Sequence, residues 1–177
     1  MIMPQEISVT KSIIIHQSSA YLYKLWRNPE YLPQILDFLE EVTVVDEKQS
    51  QWSVVITNNE RVYLQTEITE EIPSQLIIWH SGDSPYVLHQ GLVRFTQRPT
   101  PTLNTVLYLN LRFYFPPIED SRPHMLGEDI DSRIQEDLYR FKIAVEGDDF
   151  PRKKEIQKGF PQEFPGKRRI NPRKTPE

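Results

Sequence analysis

Proton transfer or metal binding in this 177-residue chain would fall to four histidines and 25 carboxylates, because cysteine is absent. His16, His80, His89 and His124 show no pairing at metal-ligand spacing on a single element, and His80 and His89 fall on different strands across a turn. His89 shares strand parity with Gly91, Val93 and Phe95, so it is the one histidine aimed at an interior. It is a weak candidate acid or base, weighed below the ordinary reading of a satisfied, partly buried histidine. The other three read as surface or loop residues. Glu128, Asp129, Asp131, Glu136 and Asp137 cluster, but they lack the alternating oxygen ligands and turn glycine of a calcium loop. A solvated helix face that complements the helix dipole accounts for them better. Glu67, Glu70 and Glu71 belong to the solvent side of a strand or to a turn. There is no glycine-rich phosphate loop and no G-x-S-x-G. The expectation is no metal, no cofactor and no catalytic residue beyond His89. Trp26, Trp52 and Trp79 can stack on a ligand; Trp26 reads as core, and Trp79 fits either role.

The elements that would position these residues follow from periodicity. Ile7, Val9, Ile13 and Ile15 alternate in a first strand with one irregular step. Ser18 or Ser19 caps a helix over Ala20–Trp26 whose apolar side is Leu22, Leu25 and Trp26. Two prolines four residues apart break "LWRNPEYLPQI", so the chain turns a corner there. Strands follow at Glu40–Asp46 and Gln51–Thr57 around a polar turn, then an alternating strand with Val62, Leu64, Thr66 and Ile68 on one side. Pro73-Ser74 turns into "QLIIWH", "SGDSP" into Tyr86–Gln97, and "RPTPT" into Leu103–Phe115. The period then changes: Ile130, Ile134, Leu138, Phe141 and Val145 step by 4, 4, 3 and 4, a core-facing helical stripe with Gly147 as its C-cap. An antiparallel meander must cover its apolar face, and only the helix over Glu128–Glu146 is long enough to do so. Where sheet and helix do not fill the space between them, an apolar cavity remains.

Length suits one domain with an appendage, residues 1–147 and a tail from 148 to 177. The chain carries 21 basic and 25 acidic residues; nine and five of these lie from Gly147 onward, which leaves the body at −8 and the tail at +4. An acidic body argues against nucleic-acid binding there. The tail is basic, proline-rich and aperiodic, which reads as disordered or extended. Its interleaving of Lys/Arg with Phe150, Phe160 and Phe164 suits a protein groove, RNA or an anionic membrane, and a flexible solubilising tail equally well. No apolar run is long enough for a bilayer span and no signal peptide is evident, so a cytoplasmic protein is expected.

Four stretches carry a family likeness: "SIII" leading into a helix that ends "LWRNPEYLP", then "VYLQTEITEEIPSQLIIW", "GLVRF" and "DLYRFKIAVEG". In this order and spacing, from Ile7 to Gly147, the chain resembles the START / polyketide cyclase (SRPBCC) superfamily, nearest its bacterial cyclase/dehydrase-like branch. It departs at Gln17-Ser18, where the family usually has Ala-Pro, at Leu64, where a Trp is common, and at "EDSRPHML", which interrupts a glycine-rich approach to the long helix. The resemblance implies an α+β helix-grip fold, a curved antiparallel sheet wrapped around a long C-terminal helix with two short helices after the first strand. It also implies a ligand cavity between sheet and helix. Strand and helix parity directs Leu64 and Thr66, Trp79, His89 and Phe95 toward it. Leu107, Leu109 and Leu111, with Ile134 and Leu138 from the helix, share that inner face, and Tyr31 stands at the rim. Only Thr66 and His89 are polar among these, so the expected function is binding or carriage of a small hydrophobic molecule, such as a lipid, isoprenoid, quinone or polyketide-like ring. The alternatives are an aromatase/cyclase or dehydratase using His89, and a protein-interaction module whose cavity has collapsed.

Overall fold

The strict alternation of Leu107, Leu109, Leu111 and Phe113 lays Thr105–Phe115 (β7) into the sheet with these four side chains buried on one face. The structure is a computed structural model, and the residues it describes are 5–57, 60–82, 88–115 and 130–151. Gln5–Ile15 (β1) and Leu88–Gln97 (β6) pair antiparallel on either side of β7. Leu39–Val44 (β2), Gln49–Thr57 (β3), Glu60–Ile72 (β4) and Leu76–Ser81 (β5) complete a seven-stranded antiparallel sheet in the order β1-β7-β6-β5-β4-β3-β2. Asp46 shapes the β2–β3 turn by accepting the amides of Lys48 and Gln49, each at 2.8 Å. Ser74, at a left-handed φ of 64°, closes the β4–β5 turn after Pro73. The expected starts at Tyr86 and at Glu128–Asp129 lie outside the described residues, as does the tail from 152 to 177.

Register slips at Leu39/Glu41, Val55/Thr57 and Ile68/Glu70 bend the sheet. The third has a side effect. Up to Ile68 the even residues of β4 face inward, but the extra residue reverses that parity, so Ile72 is exposed and Glu71 turns inward. The sequence reading of Glu71 as a solvent-side or turn residue is corrected here. A bulge leaves no mark in an alternating pattern that stays polar on both sides of it.

Ser19–Arg27 (α1) follows β1, and Ser18 is its cap, accepting the Tyr21 amide at 3.2 Å. Asn28 ends α1, a 3-10 turn occupies Pro29–Tyr31, and Leu32–Ile35 (α2) completes the corner. Pro33 lies inside the first turn of α2, where a missing N–H removes no helical bond. Ile130–Glu146 (α3) packs against β1 and α2, burying Ile130, Ile134, Leu138, Phe141 and Val145 as its periodicity predicts. Gly147 caps it, but the left-handed residue is Asp148, with φ 59°. The Asp149 amide then bonds back to the Ala144 carbonyl at 2.7 Å. The chain stays on the body past Gly147: Phe150 is buried edge-on to Tyr31 and Phe141, and Tyr21 donates its hydroxyl to the Phe150 carbonyl.

α3 also buries a carboxylate. Asp137, 2% exposed, accepts the Asp37 amide at 3.1 Å and pairs with Arg140, which reaches the Asp37 carboxylate at 2.6 Å. Burial pushes the Asp137 carboxyl up to about 6; the Asp37 charge adds to this, while the Asp37 amide and Arg140 oppose it. The folded protein therefore holds a proton that the unfolded chain releases near pH ~3.9. The resulting stability is complete below that value and is lost as pH rises toward 6. Asp137→Asn keeps an acceptor for the Asp37 amide and cannot titrate. It is expected to remove a fall of about 2–3 kcal/mol between pH ~4 and ~6 from urea unfolding curves.

Candidate functional site

The sheet face is not filled everywhere. A cavity of about 500 Å³ lies beneath α1 and the corner, over the β2–β5 half of the sheet. Its apolar wall comes from Trp26 and Leu32 on the helical side, and from Trp52, Ile68, Ile77 and Trp79 on the strands. Exposed Lys24, Asp46, Glu47 and Lys48 mark its mouth. The volume falls within the range of about 300–1,000 Å³ usual for small-molecule sites.

Between mouth and interior sits a clasp. Arg27 at the end of α1 donates from Nε to Glu71 at 2.6 Å and from Nη2 to the Glu47 carbonyl at 2.7 Å, tying α1 to β4 and to the β2–β3 turn. Tyr23, one helical turn earlier, donates its hydroxyl to the same Glu71 carboxylate at 2.9 Å. Burial alone would raise the Glu71 carboxyl, but the Arg27 and Tyr23 bonds outweigh it and hold the group below its ordinary value. Burial and the neighbouring carboxylate push the Tyr23 phenol up to about 12, so it stays a donor.

The polar atoms inside the wall divide into two sets. Trp52 Nε1 donates to Ser50 Oγ at 2.8 Å, and Trp79 Nε1 donates to His89 Nε2 at 3.1 Å. Trp26 Nε1, Asn28 Oδ1 and Thr66 Oγ1 are buried with no partner, the only such side-chain atoms among the described residues, and all three residues line the cavity. An unpaired buried polar group costs about 1–3 kcal/mol.

His89 lies behind this wall. Its Nε2 accepts from Trp79, its Nδ1–H donates to the Arg112 carbonyl at 3.1 Å, and its ring stacks on Phe113 with centroids 4.6 Å apart. Both nitrogens are satisfied in the neutral tautomer. Burial pushes the imidazole down to about 4, despite the Arg112 bond that favours the charged ring. The ring is 2% exposed.

Of the residues the sequence directed toward a cavity, Thr66 and Trp79 stand on the wall. Leu64, Phe95, Leu107, Leu109 and Leu111 are in the solid core, and so are Ile134 and Leu138. Tyr31 is buried against Phe150 rather than at the mouth. No described residue of α3 lines the cavity. Phe38, just before β2, is buried with its ring edge-on to Phe113 at 5.7 Å and to His89 at 6.4 Å. The void therefore lies one side of the expected place, under α1. Sequence reasoning passed over Tyr23, Arg27 and Asn28; the i, i+4 spacing of Tyr23 and Arg27 on the helix side opposite Leu22 and Leu25 was the available signal. Gly91 was also passed over. Trp79 lies across it, and a Cβ there would stand 2.7 Å from Trp79 Nε1 and nearer still to two ring carbons.

A seven-stranded antiparallel sheet gripping a C-terminal helix, with short helices after the first strand and a cavity beneath them, is the helix-grip architecture of START-like proteins. The chain belongs to the family described as polyketide cyclase / dehydrase and lipid transport, whose model matches residues 15–139. Membership points to hydrophobic-ligand binding or polyketide-cyclase-type function. Solved structures share the fold. A Deinococcus radiodurans protein is 24% identical, with 80% of this chain and 99% of that one covered and a TM-score of 0.66. The Zhui aromatase/cyclase from Streptomyces sp. R1128 is 14% identical over 81% and 93%, with a TM-score of 0.60. A START superfamily protein from Mycobacterium smegmatis is 15% identical over 80% and 95%, with a TM-score of 0.57. No curated protein matches the chain. Among the described residues no helix is long and apolar enough to cross a membrane, and no group of three His, Asp or Glu is placed to hold a metal.

Proposed function

We propose that the protein binds a small hydrophobic molecule, of lipid, isoprenoid, quinone or polyketide-like type, in the cavity between α1, the β2–β3 turn and strands β4 and β5. The observation that carries this is a cavity of about 500 Å³ walled by three tryptophans, Leu32, Ile68 and Ile77, beside a core of buried aliphatic and aromatic side chains. Burying about 400 Å² of apolar ligand at about 25 cal/mol/Å² gives roughly 10 kcal/mol gross. Lost motion takes back at least about 4 kcal/mol, leaving an affinity of about tens of micromolar or weaker from apolar burial alone. Carriage fits this wall better than proton-transfer catalysis. Its titratable groups sit at the mouth, several of them tied in the Arg27–Glu71 clasp, and His89 lies behind Trp79 with both nitrogens engaged.

Two measurements test the reading. Native mass spectrometry of protein purified without detergent is expected to show an adduct of a few hundred daltons, the size class that such a cavity holds. Nile red should bind saturably with enhanced emission. Ile68→Trp, which builds an indole into the void from a half-buried wall position, should weaken dye binding by about tenfold or more. Its urea midpoint should stay near that of the parent. Bare protein with no saturable dye binding, or an Ile68→Trp variant that binds like the parent, would sink the proposal.

A further inference from the structure

Two of the tryptophans that wall the cavity are tied at the indole N–H. Trp79 donates to His89 Nε2 at 3.1 Å, and Trp52 donates to Ser50 Oγ at 2.8 Å. On the reading that the cavity is a binding site, these two bonds decide whether it stays open. A ring beside a void has no atoms to touch on that side, whereas the rest of a protein interior is packed as densely as a crystal. An indole free to turn gains the missing contacts by entering the void, and a space of about 500 Å³ has room for one. Trp52 and Trp79 stand beside each other with centroids 6.0 Å apart, so a shift of either disturbs the wall that both make.

His89 is built as a fixed acceptor. Its Nδ1–H goes to the Arg112 carbonyl at 3.1 Å, which leaves the lone pair on Nε2 for Trp79. The stack on Phe113, with 4.6 Å between centroids, sets the plane of the ring, and burial keeps it neutral. The His89 backbone is pinned to β5 as well, its amide donating to Ser81 Oγ at 2.7 Å. Gly91, two residues along β6, supplies the seat. The indole lies where a side chain at 91 would be, with Nε1 2.7 Å from the position of a Cβ. Trp79 therefore has a place outside the void and a bond that keeps it there. Ser50, two residues back on β3, gives Trp52 the matching tie. We propose that His89 and Ser50 are positioning residues of the binding site: by accepting the indole N–H groups of Trp79 and Trp52, they hold both rings in the wall and keep the cavity open for its ligand.

The test is saturable Nile red binding near neutral pH by the parent, His89→Gln, His89→Leu and Ser50→Ala, with circular dichroism showing each folded. Both His89 variants lose the bond to Arg112, and only the glutamine amide keeps an acceptor for Trp79, so the difference between them isolates that bond. His89→Gln is expected to bind within about threefold of the parent, His89→Leu about tenfold more weakly, and Ser50→Ala at least about threefold more weakly. Indole hydrogen exchange followed by NMR separates a released ring from general loosening. The Trp79 Nε1–H should exchange slowly in the parent and in His89→Gln and fast in His89→Leu, with the Trp52 Nε1–H slow in all three. His89→Leu binding as tightly as His89→Gln, or Ser50→Ala as tightly as the parent, would overturn the role of that residue. Fast exchange at both indoles in His89→Leu would overturn it too, because the affinity would then follow a loosened core. Should His89→Leu fail to fold, Ser50→Ala decides alone. Nile red that does not bind even the parent removes the site itself, an outcome distinct from a parent that binds and variants that match it.

Discussion

Gly91→Ala is expected to lower the free energy of unfolding by about 2–5 kcal/mol, one of the largest single-methyl effects available in this protein. A Cβ at Gly91 falls on the Trp79 indole, 2.7 Å from Nε1 and closer to the ring carbons. The indole cannot swing away freely. Its N–H is held by His89 Nε2, and Trp52 and His89 flank it with ring centroids 6.0 and 6.2 Å away. Accommodation requires either breaking that bond, which leaves a buried donor and acceptor unpaired, or parting β5 from β6. Because Trp79 also walls the cavity, Nile red affinity should fall with stability. The cause is checked by a double-mutant cycle in urea. Trp79→Leu is costly alone, but combined with Gly91→Ala it should cost at least about 2 kcal/mol less than the sum of the single changes. Additive costs would show that the methyl acts elsewhere.

Phe38→Ala should cost about 3–5 kcal/mol, the usual range for emptying a buried aromatic site. Its ring is buried edge-on to Phe113 and His89. Removing it brings water to the imidazole, so His89, pushed down to about 4 in the intact protein, should move toward its free value near ~6.5. In the parent the ring is neutral when folded, while the unfolded chain binds a proton below pH ~6.5. Stability from this residue is therefore lost as pH falls from ~6.5 toward 4. Asp137 contributes the opposite slope over much of the same window, so the experiment is cleanest in an Asp137→Asn background. There, stability should rise with pH for Phe38 and be nearly flat for Phe38→Ala, with the imidazole titration followed by NMR. A variant whose ring is still unprotonated at pH 5, with a cost under about 1 kcal/mol, would show that Phe38 is not what seals this region.

The architecture was open to reading because its signals are local. Leu107 to Phe113 alternate without a break, Ile130 to Val145 hold a helical stripe, Ser18 caps where a cap was due, and two prolines mark a corner. The site was less open because a void is a difference between large volumes. Whether the space beside His89 and Phe113 is full depends on Phe38, which belongs to no periodic segment. Glu71 was misplaced because one extra residue between Ile68 and Glu70 reverses the pleat. Thr66 and Trp79 could be assigned to the wall because they precede that slip or lie on a strand without one. Gly91 carries no side chain, and its importance lies wholly in what the neighbouring strand lays across it.

The Arg27 clasp has a consequence for time rather than for equilibrium. Its partners come from β4 and the β2–β3 turn, and its charged groups are only 21% and 24% exposed. A ligand passing between α1 and that turn must wait for the clasp to part, both on the way in and on the way out. Anything that loosens the pair, such as added salt screening it over about 8–10 Å, speeds both directions together. The ratio of the two rates, and so the affinity, stays where the tryptophans set it. Arg27 thus works as a resistor in series with the cavity, governing how fast it fills and empties and leaving untouched how full it becomes.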